Sequence, residues 1–133
     1  MANTETERAP SLDEWLREAK ALEGAGKVGM YLLHNGVVRE TPRSQAREGL
    51  AAEKPVTGMR FDYDEEKVRR AVEEARSLPG IYHVRVWLNR GELKVGDDLM
   101  LVLVGGDIRP RVIAALESLV EALKSRCVIE QEL

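Results

Sequence analysis

Ile81-Tyr-His-Val-Arg-Val-Trp-Leu88, the connection Asn89 to Asp98, Leu99-Met-Leu-Val-Leu-Val104 and the segment closing at Leu123-Lys-Ser-Arg126 decide the fold. The first piece alternates, with Val84, Val86 and Leu88 on one face and His83, Arg85 and Trp87 on the other, which predicts a strand. Residues 89 to 98 hold two glycines in a polar stretch and read as a connection. Leu99 to Val104 is continuously apolar, the pattern of a strand covered on both faces. Gly105-Gly106-Asp107 reads as a turn. The helix after it is expected to bury Val112, Ile113, Leu116, Leu119, Val120 and Leu123, with Pro110 tolerated in its first turn.

Working outward, Met59-Arg-Phe-Asp-Tyr63 alternates as a strand, and Asp64 caps a helix with the stripe Val68, Ala71, Val72 and Ala75. Toward the N-terminus, Val28 to Leu33 and Gly36 to Val38 predict one strand or two short ones. Ser11, with Glu14 three residues on, forms a capping box opening a helix that repeats Leu12, Trp15, Leu16, Ala19 and Leu22 and ends at Gly24 or Gly26. Residues 1–10 read as a disordered leader. Residues 40–56, with two prolines and scattered apolar positions, read as a long mobile loop within a single domain over 11–133. The order α, β, loop, β, α, β, β, α predicts an α+β domain with helices packed on an antiparallel or mixed sheet.

Composition narrows the function. The chain of 133 residues carries a net charge of −3 with both signs interspersed, so there is no basic stripe to expect nucleic acid. No apolar run approaches a membrane span, and a cytoplasmic domain is the simplest expectation. One cysteine, Cys127, and two histidines, His34 and His83, supply a metal site poorly, and none is expected. Cys127 reads as a small buried hydrophobe. His34, near Gly36 and Arg39, has a better claim to chemistry than His83.

Basic residues beside apolar elements are the remaining candidates. Arg39 closes the first strand. Arg109 opens the last helix, where free N–H groups favour an anion, although Asp107 competes for them. Lys124 and Arg126 stand in the last turn, where cations ordinarily do no more than complement the helix dipole. Lys124 borders the apolar stripe, and partial desolvation there would lower its pKa and make it a usable base or nucleophile.

Four stretches together resemble one family. Gly29-Met-Tyr-Leu-Leu-His-Asn-Gly-Val-Val-Arg39 is similar to its glycine-started strand ending Gly-x-Val-Arg. Glu73-Glu-Ala-Arg76 closes the middle helix in the same way. Arg90-Gly-Glu-Leu-Lys-Val-Gly-Asp97 resembles its Gly-Glu-Leu-x-x-Gly-Asp connection, and Leu123-Lys124 its Leu-Lys pair. The family is the large, catalytic subunit of molybdopterin synthase, and the likeness runs from about Lys27 onward. It implies an α/β hammerhead fold and a homodimer at the centre of a heterotetramer. The implied partner is a small ubiquitin-like sulfur carrier. The implied reaction moves sulfur from that partner's C-terminal thiocarboxylate to cyclic pyranopterin monophosphate, the pterin precursor being a substrate and no cofactor being permanently bound.

By that resemblance Lys124 is the catalytic lysine, and Arg39 and Arg109 bind the anionic substrate; Arg126, two residues beyond Lys124, is expected to bind it as well. The chain departs from the family in having Ile108-Arg109 where His-Arg is usual, and Cys127-Val-Ile-Glu-Gln131 where the family carries a second catalytic lysine. A non-catalytic homologue that keeps the dimer and the partner scaffold is the alternative expectation. Arg109 and Lys124 are separated by roughly 22 Å of straight helix, so a pocket using both would have to be shared across a two-fold interface.

Overall fold

The computed structural model describes residues 8–43 and 54–133. Residues 1–7 of the expected leader, and 44–53 of the expected loop, lie outside them. The chain orders as α1 (Leu12–Ala21), a 3-10 turn (Ala25–Lys27), β1 (Met30–Val37), β2 (Gly58–Tyr63), α2 (Glu65–Arg76), β3 (Ile81–Leu88), β4 (Gly91–Lys94), β5 (Asp98–Gly106), α3 (Arg109–Ala122), a π-helical turn (Leu123–Cys127) and β6 (Val128–Glu132). Two antiparallel sheets result, ordered β1-β5-β3 and β4-β2-β6. The α+β expectation holds.

β5 is central in the first sheet, which explains its unbroken apolar run. Met100, Val102 and Val104 face the main core with Ala71, Ala75, Val112, Ala115 and Leu119 of α2 and α3. Leu101 and Leu103 face the other way, onto Trp15 and Ala19 of α1. Each face is covered by helix, so neither set of positions can be polar. Ser11 caps α1 as expected, with the Glu14 N–H donating to Ser11 Oγ at 3.3 Å, and Asp64 Oδ1 accepts from Lys67 N–H at 3.0 Å at the start of α2.

Three expectations need correction. Gly105 and Gly106 are the last residues of β5 rather than a turn. They are glycines because there is no room: a Cβ at Gly105 would stand 2.7 Å from Tyr31 Cε1, and one at Gly106 would stand 2.7 Å from the Gly80 carbonyl oxygen. On α3, Ala115 takes a buried position while Ile113 is exposed. The third correction concerns strands. Residues 91–94, read as part of a connection, and 128–132, assigned no element from the sequence, are β4 and β6, which flank β2 to build the second sheet. β4 is short and buries Leu93 alone, and β6 buries no residue fully, so neither carries a core pattern.

The Gly-Glu-Leu-x-x-Gly-Asp stretch is thereby explained. Gly91 and Gly96 adopt positive φ (101° and 94°), turning the chain into and out of β4. Asp97 Oδ2 accepts from Lys94 N–H at 2.8 Å. The turn also grips the end of β1, since Val38 N–H donates to Asp97 O at 3.0 Å and Gly96 N–H to Val38 O at 2.8 Å. That clamp fixes Arg39, the next residue.

Candidate active site

A cleft of about 410 Å³ opens where the two sheets meet. Its floor is Gly36 of β1, Met59 of β2, and Leu99 and Met100 of β5, and its polar groups are His34, Arg39, Arg43, Lys124, Glu130 and Glu132. The volume is that of a small-molecule site. Of the expected site residues, Arg39 and Lys124 meet here, although they are far apart in sequence.

Lys124 stands in the π-helical turn, not on the last α-helical turn. Leu123 and Cys127 are buried at the two ends of that turn, while Lys124, Ser125 and Arg126 between them are exposed. The Val128 N–H reaches back to the Leu123 carbonyl, closing the wide turn. Hydrophobic anchoring at 123 and 127 therefore presents Lys124 at the cleft, and the exposed side chain is not desolvated by its own subunit. Arg39 is exposed at the mouth, its Nε donating to Thr41 O at 3.0 Å. The terminal nitrogens of the guanidinium have no partner among the described residues.

His34 sits half-buried in the same cleft, and its Nε2 is closed off without a hydrogen-bond partner. Burial, and then the positive charge of Lys124, hold this imidazole below its usual value of 6.5. It is therefore a neutral group beside a cation at neutral pH.

Arg109 and Arg126 are not brought to the cleft. Arg109 begins α3, whose whole length separates it from Lys124. The helix start is occupied internally, as the presence of Asp107 foreshadowed: Asp107 Oδ1 accepts from Ile108 N–H at 2.7 Å and Oδ2 pairs with Arg111 at 2.8 Å. Arg126 turns toward α2, its guanidinium 3.3 Å from Glu74.

Three cleft residues escaped the reading of the sequence. Arg43 pairs with Glu130 at 3.3 Å, and its backbone N–H donates to Glu132 Oε2 at 3.0 Å. Glu130 and Glu132 lie two apart on β6 and both line the cleft, whereas Gln131 between them does not. Reading residues 128–132 as a strand would have exposed that alternation. The cleft thus carries three cations, Arg39, Arg43 and Lys124, against two carboxylates.

These features define a class. The fold matches solved structures described as molybdopterin synthase from Staphylococcus aureus (19% identity, 93% of this chain and 85% of that one, TM-score 0.70) and the MoaE protein of molybdopterin biosynthesis from Burkholderia ambifaria (21% identity, 94% and 78%, TM-score 0.70). It also matches the complex of subunits 1 and 2 of molybdopterin-converting factor from Helicobacter pylori (20% identity, 92% and 75%, TM-score 0.65). A comparison with curated proteins finds no match.

The MoaE protein family matches residues 6–126, nearly the whole chain, and the chain belongs to that family. Its place is accordingly in molybdenum cofactor biosynthesis.

Proposed function

We propose that this chain is the large subunit of a molybdopterin synthase, moving sulfur from the C-terminal thiocarboxylate of a small ubiquitin-like partner onto cyclic pyranopterin monophosphate. The observation that carries the reading is the convergence of Lys124 and Arg39 on one cleft beside His34. Lys124 presents a mobile ammonium or amine at the cleft, suited to acid–base or covalent contact with the reacting carbon. Arg39 supplies charge-assisted hydrogen bonds to the phosphate. The apolar floor accommodates the ring system. Pairing with a small subunit accords with the two-subunit complex among the similar structures.

Arg109 takes part only if a second copy brings it in, since its own subunit places it at the far end of α3. We therefore assign it to the cleft of the partner copy in a homodimer acting in the cytoplasm. Arg126, paired with Glu74, is left a structural role on this chain.

One observation favours a second reading, a non-catalytic homologue that retains the scaffold. Residue 131 is glutamine and does not line the cleft, so Lys124 is its one lysine among the described residues. The experiment is reconstitution: thiocarboxylated small subunit and pterin precursor are mixed with the chain, and dithiolene formation and partner binding are measured. Product formation supports sulfur transfer. Partner binding without product selects the non-catalytic homologue, and binding of neither component contradicts both readings.

A further inference from the structure

The carboxylates of the cleft are unexpected in a site for an anion. Glu130 and Glu132 reach it from alternate positions of β6, on the side opposite Gln131. Near a phosphate they repel, so an anion alone gives no reason for them. What they hold in this structure is informative. Glu130 Oε1 accepts from Arg43 Nη1 at 3.3 Å, and Glu132 Oε2 accepts from the Arg43 backbone N–H at 3.0 Å. The group on Glu130 is thus a planar N–C–N donor. A 2-amino-4-oxo-pyrimidine edge presents the same groups, an exocyclic amine beside a ring N–H, which a carboxylate can bind as a two-bond fork where Arg43 makes one bond.

The Arg43–Glu130 pair is a single contact between partly exposed side chains, at 47% and 26% exposure. Pairs of that kind are weak and exchange readily with a competing donor. The cations on the other side, Arg39 and Lys124, form no ion pair among the described residues and belong to the anionic end.

We propose that Glu130, assisted by Glu132, is the specificity determinant of this cleft, reading the amino-pyrimidine edge of a pterin while Arg39 and Lys124 take its phosphate. The ligand class is a heterocycle that is anionic at one end and a double hydrogen-bond donor at the other. Arg43 holds the carboxylates in place until that edge displaces it. This assignment rests on the proposed function, and the test separates the two.

Binding of 6-hydroxymethylpterin phosphate and of its 2-deamino analogue to the full chain is measured by titration calorimetry, for the native protein and for Glu130→Gln and Glu132→Gln. The expected result is about tenfold or more preference for the amino compound, the size of one hydrogen bond to a charged acceptor. Glu130→Gln abolishes the preference by weakening the amino compound alone, and Glu132→Gln reduces it. Equal affinity of the native chain for both compounds overturns the assignment while leaving the pterin phosphate reading intact. Tighter binding of both compounds by Glu130→Gln also overturns it, because the carboxylate would then act only by repelling phosphate. Failure of the native chain to bind either compound overturns both.

Discussion

Adjacent residues at the end of α3 should fail in opposite ways. Leu123 is 0% exposed and packs in the main core, whereas its neighbour Lys124 is exposed at the cleft. Truncating Leu123 to alanine forfeits roughly 1.5–3 kcal/mol of transfer free energy for the buried side chain. The cavity left behind raises the loss to about 3–4 kcal/mol, since Phe61, Val112 and Leu119 belong to a core fixed by two sheets and cannot close fully around it. For a domain of this size that lowers the melting temperature by about 10–15 °C. Lys124→Ala removes no buried contact, so its stability should stay within about 0.5 kcal/mol of the parent. Its cost falls on turnover, about 100-fold or more if the amine carries a proton or a bond in the reaction. Calorimetric unfolding and a sulfur-transfer assay on both variants decide it. A Leu123→Ala loss below about 1 kcal/mol, or a Lys124→Ala variant as unstable as Leu123→Ala, would refute the division of the turn into anchor and reactive group.

Other expectations follow from the same structure. Both histidines are held below their usual 6.5, His34 by burial and then Lys124, and His83 by burial and then Arg76 and Arg85. The unfolded chain therefore takes up protons first, so stability should be full above pH 6.5 and decline as pH falls below it, and His34→Phe with His83→Phe should flatten that slope in urea unfolding. A Cβ at Gly58 would lie 2.5 Å from the Leu93 carbonyl oxygen, a backbone atom of the paired strand. Gly58→Ala should thus cost about 1–3 kcal/mol in thermal unfolding and disturb the sheet that carries Glu130. Burial pushes the Cys127 thiol up, so maleimide labelling should follow global unfolding rather than precede it.

How much was legible in the sequence depended on whether a segment buries anything. β3, β5 and the three helices declare themselves because their apolar periods match the faces they cover, Trp15 and Ala19 on one side of β5 and Val112 and Leu119 on the other. β4 and β6 do not, since one buries a single leucine and the other exposes Ile129 at 76%. They are strands because β2 lies between them, a long-range pairing that no local pattern encodes. The same gap hid half the cleft. Arg39 and Lys124 could be named from the resemblance, but Arg43, Glu130 and Glu132 become neighbours only once β6 returns beside β2. Arg109 was named by the same resemblance and Arg126 by its place beside Lys124, and here one heads the far end of α3 while the other turns toward α2.

The reading of Lys124 as the reactive group of a sulfur-transfer cleft is tested most directly by single-turnover reconstitution. Native chain and Lys124→Ala are each given thiocarboxylated small subunit and pterin precursor, and dithiolene product is followed with time. Product from the native chain, and a rate lower by about 100-fold or more from the variant with partner binding intact, is the predicted result. Equal rates from the two proteins, or no product from the native chain while it binds the partner, would contradict it.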